Sequence, residues 1–228
     1  GKIFNIVTIP KILPKNILKK KKLFIGFDPK IHTELNIKTF FQDTNCSLIS
    51  LNEDLIESIW PKKKNFRPKK YFLLKKNLTG QSSKNKINTL VELLKKNKAD
   101  LQFISAPENV AWIVNIRGYD SLFSPLPNCY LVLDNKKKLF LFCDLKNLDK
   151  KTKQGLKNFN IIDISLINLF FCKFKNKKIQ VDKNSCSIYF KNILKKNNYI
   201  IETQDPAYFL KSIKNKIEID NTIRSHIY

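Results

Sequence analysis

Residues 130–144 read YLVLDNKKKLFLFCD. Two apolar runs, one ending at Leu133 and one starting at Leu139, are joined by Asp134-Asn135 and three lysines. Asp and Asn tolerate the tight turns that most side chains resist, and the flanking residues are β-branched, aromatic or leucine, so the pattern predicts a β-hairpin. Around the hairpin the pattern changes to strands separated by helices. Upstream, Ser82 or Ser83 can cap a helix whose Ile87, Leu90, Val91 and Leu94 recur at i, i+3, i+4 and i+7. DLQFIS (100–105) predicts a strand. In NVAWIVNI (109–116) the alternating bulk from Trp112 to Ile116 predicts a second, buried strand that leaves the core at Arg117-Gly118.

Downstream of the hairpin come a polar helix (146–158), a strand NIIDIS (160–165) and an apolar segment LINLFFCKF. A strand KIQVD, a helix opened by Ser185 and a strand YIIET (199–203) follow. From Pro206 a last helix, with Leu210, Ile213 and Ile217 on one face, is expected to run to Tyr228. Nearer the start, LFIGF (23–27) reads as a strand ended by Asp28-Pro29, TELNIKTFFQD as a helix and SLISL as a strand. NEDLIESIW reads as a helix capped by Asn52, with Leu55, Ile56 and Ile59 on one face. PKKKNFRPKK (61–70), bounded by prolines and dense in like charge, reads as a linker. One hairpin inside a strand–helix alternation implies an α/β fold, a mixed sheet flanked by helices.

The net charge of +24 would suit a nucleic-acid surface. Of the 43 basic residues, however, only Arg67, Arg117 and Arg224 are arginine, the residue that forks onto phosphates and guanine edges. The lysines are spread along the whole chain, and the abundance of Lys, Asn, Ile and Phe is that of an AT-rich genome. A nucleic-acid partner is therefore disfavoured. Five cysteines (Cys46, Cys129, Cys143, Cys172, Cys186), odd in number and without CxxC spacing, read as buried reduced thiols. No apolar stretch approaches the roughly 18 to 20 residues that span a bilayer, and no signal peptide is visible, so a cytoplasmic protein without a membrane partner is expected. The missing methionine, even at position 1, suggests a portion of a longer protein.

Catalytic motifs are scarce. The five glycines stand alone, which removes GxGxxG and P-loop readings, and neither GxSxG nor HExxH occurs. His32 and His226 lack a matching carboxylate or cysteine pair, so no metal site is expected; Asp28 and His32 read as an Asp-Pro turn before a helix start. Asp100, Asp120, Asp134 and Asp144 lie at strand ends, where they form turns more often than metal clusters. Phe40, Phe41, Phe140, Phe142, Phe170 and Phe171 suit a core better than a base-stacking platform. That leaves Arg117 and Asp120, projecting beside Gly118. They read either as an ion pair pinning a loop or as a functional loop.

The stretch ENVAWIVNIRGYDSLFSPLPNCYLVL (108–133) resembles the second N-terminal domain of the three-domain Xaa-Pro aminopeptidases (aminopeptidase P). The matching positions are Ala111, Trp112, Asn115, Arg117, Gly118, Asp120, Ser124 and Pro125. FDPKIHT (27–33), IWPKKKNFRP (59–68), LTGQSSKNKI (78–87) and LKSIKNKIEIDNTIRSHI (210–227) resemble further family segments in the same order; Leu78 stands where the family has tyrosine and Ser225 where it has alanine.

The resemblance implies creatinase/prolidase-type, ribonuclease H-like domains, about one and a half of them. Residues 1–60 would end the first such domain, 61–78 form the linker, 79–205 make up the second, and 206–228 supply the first helix of a pita-bread catalytic domain. The parent would be a hydrolase removing the N-terminal residue from peptides with proline second, as a homodimer or higher homo-oligomer. Its two divalent metals, usually manganese, would be held by residues outside this chain, so the chain alone would be inactive. Arg117 and Asp120 would form a substrate-side loop, with Trp112, Asn115, Gly118 and Pro125 as its structural signature. A non-catalytic, protein-binding relative of chaperone type and a basic nucleic-acid module remain alternatives.

Overall fold

The structure is a computed structural model that describes residue 3 and residues 6–53, 55–60 and 69–227. Of the predicted linker, residues 61–68 lie outside the described residues, while 69–78 include a short strand (Phe72–Leu73) and the start of a helix (Lys76–Thr79). The chain divides into two compact units, Gly1–Lys63 with Ser187–Tyr189, and Lys64–Cys186 with Phe190–Tyr228.

The smaller unit contains helix α1 (Pro14–Leu18), strand β1 (Phe24–Phe27), helix α2 (Glu34–Phe41), strand β2 (Ser47–Ser50) and helix α3 (Leu55–Ile59). The two strands pair in parallel, Phe24 opposite Ser47 and Phe27 opposite Ser50, with α2 as the crossover. Asp28 and Thr33 make the turn and the helix start that the sequence implies. The Asp28 carboxylate accepts the Lys30 N–H at 2.8 Å, and Thr33 forms a reciprocal capping box with Asn36. Helix α3 spans Leu55–Ile59, with Leu55, Ile56 and Ile59 exposed.

In the larger unit, strand β3 (Phe72–Leu73), helix α4 (Lys76–Thr79) and helix α5 (Ser83–Lys96) lead into strand β4 (Leu101–Ile104). Helix α6 (Pro107–Val114), strand β5 (Ile116–Arg117) and the hairpin β6 (Tyr130–Asp134) and β7 (Leu139–Cys143) follow. Next come α7 (Lys150–Gly155), β8 (Asn160–Asp163), α8 (Ile167–Phe171), β9 (Lys178–Asp182), α9 (Ile188–Lys195), β10 (Tyr199–Thr203), α10 (Pro206–Ser212) and α11 (Lys216–Ser225). Six strands form one mixed sheet in the order β10-β9-β4-β6-β7-β8, while β3 and β5 pair separately. The hairpin supplies an antiparallel pair and β4 is antiparallel to β6; β4–β9, β9–β10 and β7–β8 are parallel.

Strand alternation sends side chains to two cores. Ile104, Leu131 and Leu133 join Leu90, Val91, Leu94, Val110 and Ile113 on one face of the sheet. Leu101, Phe103 and Val132 join Phe142, Ile167 and Phe171 on the other. The Phe103 and Phe171 rings meet edge to face with centroids 4.9 Å apart, and Phe140 lies 4.7 Å from Phe170, so the aromatics of this unit pack against one another as a core does.

Three expectations need correction. Residues 109–114 are not a strand: helix α6 occupies Pro107–Val114, with Pro107 in its first turn, and only Ile116 of the stretch enters a strand, β5. The buried Val110, Ile113 and Val114 recur at i, i+3 and i+4, a helical face inside a run short enough to fit either period. The last helix is two helices. Ile213 is extended at the end of α10, and Asn215 opens α11 through a capping box with Glu218. The helix predicted over 146–158 shrinks to a 3-10 turn at Leu145–Asn147 and to α7, whose first turn Asp149 caps.

Candidate functional site

The Arg117–Asp120 loop leaves helix α6 through Asn115, which takes the left-handed conformation (φ 60°, ψ 30°) that Asn tolerates better than most residues. Two backbone hydrogen bonds close the loop on itself: the Gly118 N–H donates to the Pro125 carbonyl at 3.3 Å and the Asp120 N–H to the Leu126 carbonyl at 3.2 Å. Gly118 is required by close approach. A Cβ there would lie 2.7 and 2.9 Å from Tyr71 ring carbons and 3.0 Å from the Pro127 Cα. Beyond this turn Tyr119 is partly exposed, and Leu122 and Phe123 stand out at 73% and 92% exposure.

Arg117 and Asp120 do not pair. The Arg117 Nη1 donates to the carbonyls of Ala111 and Ile116, both at 2.9 Å. The Asp120 Oδ2 accepts the Tyr71 hydroxyl at 2.7 Å and the Asn128 N–H at 2.7 Å. The ion-pair reading is thus replaced by two separate anchors that face different cavities.

The cavity on the Asp120 side, of about 460 Å³, is lined by Tyr71, Asp120, Asn128, Asp144, Lys146, Asn147, Asp163 and Ile164. Tyr71 is 1% exposed and also accepts an N–H from Asn147. Burial pushes its hydroxyl well above the usual phenol range, and the adjacent Asp120 carboxylate adds to the shift. Burial likewise raises the Cys143 thiol to about 12 and the Cys129 thiol well above its ordinary value, so both are inert thiols at neutral pH. The other carboxylates here form turns: Asp144 accepts the Lys146 N–H, and Asp163 accepts the N–H and hydroxyl of Ser165. Asp100 and Asp134 make similar bonds elsewhere, to Lys178 and to Lys136 and Lys138. Because β6 and β7 run antiparallel, Asp134 and Asp144 sit at opposite ends of the hairpin, so the four strand-end carboxylates do not gather.

The cavity on the Arg117 side, of about 240 Å³, is bounded by α4, α5, the end of α6, β5 and α11. Lys86 lies in it at 2% exposure. Its Nζ donates to the Trp112 carbonyl at 2.8 Å and the Asn115 Oδ1 at 2.7 Å, and it stands 4.2 Å from the Trp112 ring centroid. Asn115 returns its Nδ2 to the Gln81 carbonyl. Gly80, left-handed at φ 66°, packs against Asn215, whose Nδ2 donates to the Thr79 carbonyl. The segments LTGQSSKNK, WIVNIR and KNKIE, far apart in sequence, therefore meet at one place. Tyr71 and Lys86 are the site residues that sequence reading left without a role. Tyr71 carries no local signal, but Lys86 does, as a lysine adjoining the apolar stripe of α5.

The chain belongs to the creatinase/prolidase N-terminal domain family, whose model matches residues 62–218. It is 32% identical over 219 residues to Xaa-Pro aminopeptidase 1 of Dictyostelium discoideum, a match covering 93% of this chain and 32% of that protein. To the Drosophila melanogaster Xaa-Pro aminopeptidase ApepP it is 30% identical over 229 residues, covering 94% of this chain and 36% of that protein. The chain thus spans about a third of the length of these curated relatives. Its fold matches that of a Caenorhabditis elegans X-prolyl aminopeptidase, described as a cytosolic enzyme with a di-nuclear active site. That match has a TM-score of 0.83 at 21% identity and covers 96% of this chain and 38% of the other. No helix among the described residues is long and apolar enough to cross a membrane.

Proposed function

We propose that this chain is the N-terminal, non-catalytic portion of a Xaa-Pro aminopeptidase, an enzyme that removes the N-terminal residue from peptides with proline second. The observation that carries the reading is the match along nearly the whole chain to proteins of that name, in one order and on one fold. A bond to proline calls for a dedicated peptidase because its nitrogen has no N–H and the ring fixes the backbone. Residues 1–60 would complete a first domain, 61–78 link it to the second at 79–205, and 206–228 start the catalytic domain. The described residues bring no three His, Cys, Asp or Glu side chains together that could hold a metal ion. By the family resemblance, a di-nuclear centre like that of the nematode enzyme, with manganese as the expected metal, would use ligands outside this chain.

The loop that projects Tyr119, Leu122 and Phe123 suits a role at the substrate side or at a contact between subunits, since it offers apolar surface on a backbone tied down at Gly118 and Asp120. The complete gene product, assayed with manganese on a peptide with proline second and on the same peptide with alanine second, is expected to cleave only the first. Cleavage of neither, or of both alike, rejects the peptidase reading. Phe123→Ser, at a fully projecting side chain, is expected to raise KM several-fold or to weaken the oligomer while kcat changes little. If KM, kcat and sedimentation all stay at wild-type values, the loop has neither role.

A further inference from the structure

The cavity beside Arg117 has more positive charge than the protein neutralises. Its charged lining is Lys86 on α5, Arg117 on β5, Lys214 ahead of α11 and Glu218 on α11. Glu218 Oε2 is occupied by the N–H and the side-chain amide of Asn215, and among the described residues Glu218 makes no ion pair within 4 Å of the buried Lys86 or the partly buried Arg117. Lys86 uses two of its three N–H donors on Trp112 and Asn115. Arg117 directs Nη1 at two carbonyls, and its Nε and Nη2 meet no acceptor among the described residues. The indole Nε1 of Trp112, whose ring lines the same cavity, is also buried without a partner.

Taking cations out of water is costly unless they are fully paired. The cost shows in both groups: burial lowers Lys86 to about 8 although the Glu218 charge pulls the other way, and burial holds Arg117 below its usual value. An anion in the cavity would relieve it. The open edge of a guanidinium matches the two oxygens of a carboxylate, and the free Lys86 donor supplies a second contact. About 240 Å³ holds a carboxylate on a short stem but not a nucleotide.

We propose that the cavity formed by Lys86, Trp112, Asn115 and Arg117 is a carboxylate-binding site, with the free edge of Arg117 as its fork and Lys86 as its second cation. The carboxylate comes either from a soluble acid or peptide terminus, or from an Asp or Glu side chain elsewhere in a longer form of the protein. The site does not depend on the peptidase reading, since it rests on charge and geometry within one unit.

The chain has three arginines, so the side-chain Nε–H signals of a ¹⁵N-arginine-labelled sample are few enough to follow singly. Sodium acetate, titrated against sodium chloride at constant ionic strength, is expected to move the Arg117 signal saturably and to leave Arg67 and Arg224 in place. In a Trp60→Phe background Trp112 is the sole tryptophan, and its emission is expected to follow the same isotherm. Arg117→Gln is expected to weaken acetate on the order of tenfold. Should that variant fail to fold, Lys214→Gln at the cavity mouth is expected to weaken acetate several-fold with the fold intact. No saturable Arg117 shift, or equal shifts of all three arginines, overturns the proposal. In the complete gene product, an Arg117 signal that still responds to acetate identifies a soluble ligand. A signal already shifted and unresponsive identifies an internal side chain, and one neither shifted nor responsive overturns the site.

Discussion

Arg117 and Asp120 stand three residues apart on one loop, yet their surroundings are opposite in kind. The Asp120 carboxylate has one oxygen saturated by a buried tyrosine and a backbone N–H, and it closes the loop against the sheet. The Arg117 guanidinium has one nitrogen fixed to backbone carbonyls, meets no other acceptor among the described residues, and lines a cavity that already holds a buried lysine. Neither side is complete, since the second Asp120 oxygen, Oδ1, is buried without a partner. Asp120 is nevertheless tied to a tyrosine and a backbone N–H that fix the loop, whereas Arg117 borders a cavity with its remaining donors free among the described residues. A cation left half-satisfied beside a cavity is where function is more readily sought than stability. Two residues that look like one ion pair in the sequence can thus be a brace and a binding group.

The comparison can be broken most forcefully at the glycine between the two. Gly118→Ala places a methyl within 3.0 Å of the Tyr71 ring and the Pro127 backbone, and since backbone cannot yield as a side-chain tip can, it is expected to cost about 2–3 kcal/mol. The urea midpoint measures this; an unchanged midpoint would mean the loop is not wedged there. Tyr71→Phe removes one of the two donors to Asp120 and is expected to cost about 1–2 kcal/mol, because the carboxylate stays buried with less compensation. Adding Asp120→Asn to Tyr71→Phe should then cost less than it does in the wild type.

The Arg117 side is sharpened by pH. Lys86 titrates near 8 when folded against about 10.5 when unfolded, so between those values the unfolded chain holds more protons and stability contributed by this group rises with pH. The difference between wild type and Lys86→Met in unfolding free energy is therefore expected to shift in favour of the wild type from pH 8 to pH 10. A flat difference would mean that Lys86 is not desolvated. Smallest is Phe123→Ser, expected to move the midpoint by no more than about 0.5 kcal/mol, since the ring touches mostly solvent.

Much of the fold was legible wherever local chemistry speaks for itself. Asp134-Asn135 marks the hairpin, and Ser82 with the 87-90-91-94 stripe marks α5. Residues 109–114 are ambiguous because Val110, Ile113 and Val114 satisfy a helical period while their β-branching favours a strand; Pro107, suited to a first helical turn, is the signal that points to the helix. The break before α11 was also readable, as Asn215-x-x-Glu218, but an uninterrupted apolar stripe hid it. Of the site, positions were legible and partners were not. Arg117 and Asp120 stand out by composition and motif, whereas Tyr71, 49 residues before Asp120, and Lys86 reach the loop only through the tertiary fold.

The central claim is that Arg117 and Asp120 are independent anchors, one of them open to a ligand. A double-mutant cycle in urea, with Arg117→Ala, Asp120→Ala and both, tests it directly. The account predicts additive losses, with a coupling below about 0.5 kcal/mol, because the two side chains share no partner. A coupling above about 1 kcal/mol would mean that the two form one bonded unit, and it would contradict both the two-anchor loop and the open edge of Arg117.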